Sequence, residues 1–103
     1  MTVSTRKAKQ SPVGQGTNER IAYRFDFGMW GTPTNPISKL YDMSTGKSDV
    51  SSTNLSGSSG VTGSWVFSPY VVLLSDGVKY RLEVEADFSN NHESGYLEIE
   101  GEL

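Results

Sequence analysis

Hydrophobic and polar side chains alternate without a break from Val78 to Phe88. Val78, Tyr80, Leu82, Val84, Ala86 and Phe88 leave one face, and Lys79, Arg81, Glu83, Glu85 and Asp87 leave the other. A period of two over this length predicts a half-buried antiparallel strand, because successive side chains leave opposite faces of the pleat. The alternation returns from Tyr96 to Leu103, with Leu97, Ile99, Gly101 and Leu103 set against Tyr96, Glu98, Glu100 and Glu102. Ser89 to Gly95 between them is polar and reads as the turn of a β-hairpin. Arg20 to Phe27 is a third clear strand, with Ile21, Tyr23, Phe25 and Phe27 on one face.

The remaining segments are shorter and more broken. Gly28 to Pro36 reads as a loop by its glycines and prolines, and Ile37 to Asp42 as a short strand closed by the turn Met43 to Gly46. Ser51 to Ser64 is rich in serine and glycine and predicts irregular strands and turns anchored by Leu55 and Val61. Trp65 to Phe67 and Tyr70 to Leu74 read as strand, split by Ser68 and Pro69. Pro69 lacks a ladder donor, so it predicts a sheet edge or a change of sheet. No helical period of useful length is present. About seven strands and no helix make an all-β chain, an antiparallel β-sandwich. Residues 1–19 are poorly patterned and read as a flexible arm or weak edge strand before a domain over 20–103. The expected core is Tyr23, Phe25, Trp65, Tyr80, Leu82, Val84, Leu97 and Ile99.

The entry to the long strand adds a sharper sign. Leu73 and Leu74 precede a turn, Ser75-Asp76-Gly77, and Tyr80 follows three residues after the glycine. That order resembles the tyrosine corner of immunoglobulin-like and fibronectin-III-like sandwiches. The resemblance implies that the Tyr80 hydroxyl bonds to backbone a few residues upstream and locks the crossing between sheets.

Composition fits a thin sandwich with polar outer faces: 103 residues, 35% hydrophobic, 11 glycines and 4 prolines. Absence of cysteine fits folding in a reducing cytoplasm. Met1 to Pro12 has basic residues without an apolar run, so no secretory signal is expected, and no segment has the length to span a bilayer. The net charge of -3 argues against nucleic acid as the main partner. The charge is also polarised: residues 1–40 carry a net +4, and residues 76–103 a net -6. These ends either are solvated separately or pair, within the chain or between copies.

Candidate chemistry is sparse. Strand pairing is expected to place Glu83, Glu85, Asp87, Glu98, Glu100 and Glu102 in a carboxylate ladder on the outward face of the hairpin. Two uses compete. One is a docking face for a basic partner or for the chain's own Arg6, Lys7 and Lys9. The other is a solvated face that keeps the last strand from pairing with neighbours. Calcium is a remote third, since its ligands come from loops. Met29 and Trp30 lie in the loop after the Arg20 to Phe27 strand, where Trp30 either anchors an interface or folds back to plug the sandwich. His92, the only histidine, reads as a surface turn residue. No nucleophile motif or phosphate loop is present, so no enzyme activity, no cofactor and no metal are expected.

Beyond the corner, the chain resembles small immunoglobulin-like proteins of tailed bacteriophages and prophages. The likeness lies in YRFDFGMW (Tyr23 to Trp30), the glycine- and serine-rich middle, and the pair YRLEVEADFS (Tyr80 to Ser89) and GYLEIEGEL (Gly95 to Leu103). It implies a virion or assembly component of the neck, tail or fibre attachment. Its partners would then be other virion proteins or copies of itself, with no nucleic acid or membrane. Its location would be the host cytoplasm during assembly, then the virion. The alternative is a carbohydrate- or surface-binding module in which Trp30 and tyrosines stack on a ligand.

Overall fold

The computed structural model describes residues 12–28 and 31–103 in full, and residues 5–7 by their backbone. Ten strands follow in chain order: β1 (Thr5–Lys7), β2 (Val13–Gly16), β3 (Ile21–Asp26), β4 (Thr34–Asp42), β5 (Ser48–Asp49), β6 (Leu55–Ser56), β7 (Gly60–Thr62), β8 (Trp65–Val71), β9 (Lys79–Phe88) and β10 (Asn91–Glu102). A single helical turn, α1 (Ser51–Asn54), lies between β5 and β6. The fold is all-β, in two sheets. The larger has six strands in the order β1-β10-β9-β4-β5, with β2 also on β10. The smaller has four, in the order β3-β8-β6, with β7 also on β8. The strand number exceeds the expected seven because the margins are broken into short pieces.

The core forms where the inner faces of the two sheets meet. Tyr80, Leu82, Val84, Ala86 and Phe88 of β9 supply one row, joined by Leu97 and Ile99 of β10 and Leu40 of β4. Phe25, Phe27, Val66 and Val71 belong to the same cluster on the side of the smaller sheet. The Phe27 and Phe88 rings meet at 5.3 Å between centroids, tilted by 49°. Trp65 is a correction. It lies outside this cluster and half-buried, because in β8 it is Val66 that faces in. A small β-branched side chain fits between the layers, and the indole lies on the outer face instead.

The sheets are not wholly antiparallel as expected. Both β1 and β2 run parallel to β10, with Thr5 beside Ser94 and Val13 beside Ile99. Residues 5–7 and 13–16 are thereby strands of the larger sheet. The last hairpin is tighter than the composition suggests. Phe88 pairs directly with Asn91, so Ser89 and Asn90 alone make the turn. Ser89 takes φ +47°, the sign that matches the twist of the flanking strands. Strand β4 likewise starts at Thr34 rather than Ile37, through an irregularity that spans Asn35 (φ +51°) and Pro36.

Pro69 marks neither an edge nor a change of sheet. It lies within β8, an inner strand, at a bulge where Ser68 and Pro69 together oppose Tyr23. A bulge is where an inner strand tolerates the missing donor. Ser68 Oγ repairs the ladder by accepting from Tyr23 N–H at 3.0 Å.

At the entry to β9, the Tyr80 hydroxyl accepts from Ser75 N–H at 2.9 Å, and the ring is 4% exposed. The turn beneath it is tied to β10. Gly77 N–H donates to Gly101 O at 2.8 Å, and Gly101 N–H to Val78 O at 2.9 Å. We expect Tyr80→Phe to lower stability by about 1 kcal/mol, the usual net value of one hydrogen bond. A urea midpoint equal to that of the wild type would refute a structural role for this hydroxyl.

Candidate interaction surfaces

The outer face of the larger sheet carries the acidic residues, but not as a ladder of like charges. Register places Glu98 opposite Arg81, Glu100 opposite Lys79, Glu83 opposite Tyr96, Glu85 opposite Ser94, and Asp87 opposite His92. The short turn sets this alternation, since a shift of one residue would flip every side chain to the other face. Cross-strand pairs of opposite charge stabilise a sheet where like pairs would cost. On the other flank of β9, Lys39 lies opposite Glu83.

Glu83 is held from two sides, with Lys47 Nζ and Arg81 Nε each 2.9 Å from its Oε2. Both cations also lie over rings. Lys47 Nζ is 4.3 Å from the Tyr41 centroid, and Arg81 Cζ is 3.8 Å from that of Tyr96. A row of Tyr41, Lys47, Glu83, Arg81 and Tyr96 thus crosses the sheet, its charges paired and its cations over rings. Beside it, a groove of about 280 Å³ is lined by Pro12, Met43, Lys79, Arg81, Tyr96 and Glu98, among others. Glu102 lies at the end of the face, its carboxylate occupying the space a side chain on Gly14 would need. For Glu83 the cations Lys47 and Arg81 are at hand, and for Glu85 and Asp87 the His92 imidazole is.

The hairpin tip holds a second cluster. His92 is not in a turn but in β10, with Nδ1 at 2.6 Å from Asp87 Oδ1 and Nε2 at 3.3 Å from Glu85 Oε1. Asn35 Nδ2 donates to Asp87 Oδ2 at 3.2 Å. The bond to Asp87 raises the His92 pKa above its ordinary value, with Glu85 adding to the effect against the opposing pull of burial. The same bond, followed by that from Asn35, lowers the pKa of Asp87. A raised histidine stabilises the fold fully below its unfolded pKa of about 6.5, and that contribution is lost as pH rises through the folded value. A lowered aspartate contributes above about pH 3.9 and loses its contribution as pH falls through its folded value. The contact therefore helps most between about pH 4 and 6.5. By NMR, His92 should titrate above its free value, and Asp87→Asn should move the midpoint down; an unmoved midpoint would refute the pairing.

The outer face of the smaller sheet is aromatic and basic. Trp65, Phe67 and Tyr70 alternate with the inward residues of β8. Arg24 Cζ sits 4.3 Å from the Trp65 ring centroid, and Arg20 Cζ 4.2 Å from that of Tyr70. The expectation of Trp65 in the core misses this face, although Arg20 and Arg24, on one face of the β3 segment, are a usable sign.

Residues of the first nineteen also reach the body. Gln15 of β2 is 0% exposed. Its amide nitrogen donates to Val71 O at 2.7 Å and Glu19 O at 3.2 Å, and its oxygen accepts from the Tyr23 hydroxyl at 2.8 Å. Burial, then the nearby Glu19 carboxylate, pushes the Tyr23 pKa up to about 12. Met29, Trp30 and Lys9 lie outside the described residues. Arg6 and Lys7 lie in β1, beside Gly95 and Tyr96 by backbone register.

Among the described residues no group of three or more acidic, histidine or cysteine side chains could hold a metal ion, and no helix is long and apolar enough to cross a membrane. Set against known protein families, curated proteins and solved structures, the chain shows no match.

Proposed function

We propose that this chain is an immunoglobulin-like sandwich that works by holding other proteins, as a structural or assembly component of a tailed-phage virion. Strand order supports the fold. The larger sheet runs edge strand, β10, β9, β4, β5, and the smaller runs β3, β8, β6. In immunoglobulin terms these correspond to strands G, F, C and C′ with an added first strand, and to B, E and D. Tyr80 then falls near the start of strand F, bonded five residues upstream to Ser75, where the tyrosine corner belongs. The phage-like segments YRFDFGMW and YRLEVEADFS support the setting.

The observation that carries the binding role is the pre-set outer surface of the larger sheet. Its charges are paired and its cations stacked before any partner arrives. Side chains already fixed lose less freedom on association, and complementary charge sets register and partner choice. A sugar-binding role would rest on Trp30, outside the described residues, and on tyrosines, of which Tyr70, Tyr41 and Tyr96 have Arg20, Lys47 and Arg81 over their rings.

Mass spectrometry of particles purified from a lysate of the source strain tests the proposal. The chain should appear in fixed ratio to tail or neck proteins. Its absence from intact particles, with the chain present in the lysate, would overturn the virion role.

A further inference from the structure

Strand β3 forms a margin of the smaller sheet. β8 pairs with it on one side, and among the described residues no strand pairs with the other. Two bonds fix which way its backbone groups point. Tyr23 N–H reaches Ser68 Oγ, and Phe27 N–H reaches Ser64 O, each at 3.0 Å on the β8 side. Alternation along a strand then turns the N–H and C=O of Ala22, Arg24 and Asp26 to the open side. All three residues are exposed, and β3 contains no proline to block that edge.

We propose that two copies of this chain join through β3, antiparallel about a two-fold axis at Tyr23, to make one continuous sheet. The free groups and the charges together select that axis. With it at Tyr23, Ala22 stands opposite the second copy's Arg24, and Arg20 opposite the second copy's Asp26. Each contact occurs twice by symmetry, as a self-complementary interface requires. Moving the axis one residue back sets Arg20 against Arg24, and moving it one forward sets Arg24 against itself. An axis at Phe25 would also bring opposite charges together, Arg24 against Asp26, but would overlap β3 with itself only over residues 24–26. The Tyr23 axis overlaps residues 21–25 and leaves Arg24 beside a small residue.

The side chains are prepared for this contact. Arg24 and Arg20 lie down on Trp65 and Tyr70 of their own chain, on the outer face, clear of the approaching backbone. Asp26 is held by Gly28 N–H at 2.8 Å and Ser64 Oγ at 3.1 Å, both at Oδ1. The dimer deepens the protein-contact role proposed above and names the partner as a second copy. A monomeric chain found in particles would overturn the dimer alone.

Analytical ultracentrifugation of the full chain over a wide concentration range tests it. The wild type should dimerise. Arg20→Asp and Asp26→Arg each set like charges opposite one another, and each should weaken dimerisation at least roughly ten-fold. An equimolar mixture of the two variants should dimerise again, because both cross-contacts become opposite in sign. That recovery also shows both variants folded. A wild type that stays monomeric to its solubility limit, variants that dimerise as well as the wild type, or a mixture that fails to recover would overturn the proposal.

Discussion

Gly101→Ala should cost about 3 kcal/mol or more, the upper end of what overpacking a tight contact does. A Cβ at this position would overlap the Ser75 carbonyl oxygen and stand 2.9 Å from the Ser75 carbonyl carbon. The obstacle is backbone, so no side chain can swing aside. Gly101 is also tied on both of its polar groups, to Gly77 N–H and Val78 O, so β10 cannot retreat without breaking the corner. Gly77 provides the contrast. It has φ +78° and nothing within 4 Å of an added Cβ, so alanine there should cost only the left-handed backbone penalty, about 1–2 kcal/mol. Urea unfolding of both variants separates the two mechanisms. If Gly101→Ala is no worse than Gly77→Ala, the close approach of β10 to the corner is not what the structure depicts.

The second large effect is expected at Gln15. Its side chain bridges an edge strand of the larger sheet to Val71 and Tyr23 of the smaller one. Removing it strands buried partners, at about 1–3 kcal/mol for each group left unsatisfied. Gln15→Met keeps most of the volume and loses the hydrogen bonds, and should destabilise by about 3 kcal/mol. Pairing it with Tyr23→Phe in a double-mutant cycle tests the link directly. The double variant should lose clearly less than the sum of the two, because the Tyr23 hydroxyl no longer needs Gln15. Strict additivity would refute a shared network.

What could be seen in the residues follows from what alternation encodes. A period of two in β9 and β10 gives two faces, and the apolar side of Leu82, Val84 and Leu97 leaves no doubt which is inner. In β8 both sides are apolar, Trp65 and Phe67 against Val66, and period alone cannot choose between them. The aromatic side went outward because two arginines of the β3 segment were there to cover it. Alternation also cannot give register. The carboxylates of β9 and β10 share a face as expected, yet the tight Ser89–Asn90 turn puts Arg81 and Lys79 opposite two of them. Ser94 and Gly95 resemble a loop in sequence but continue β10. Gln15, polar and flanked by glycines, carries no sign of burial at all. Its position depends on contacts 56 residues away, and no local pattern encodes those.

The parallel seating of β2 on β10 has a mechanical consequence. A pull applied ahead of β2 and beyond β10 draws the two strands in opposite directions along their own length. Every backbone bond between Val13–Gly16 and Ile99–Glu102 is then loaded together, in shear. An antiparallel pair pulled from adjacent ends would open one bond at a time, like a zip. The Gln15 bond to Val71 carries part of the same load across to the other sheet. The pairing of β2 with β10 is thus arranged to resist tension along the strands, and it does so over only four residues of β2.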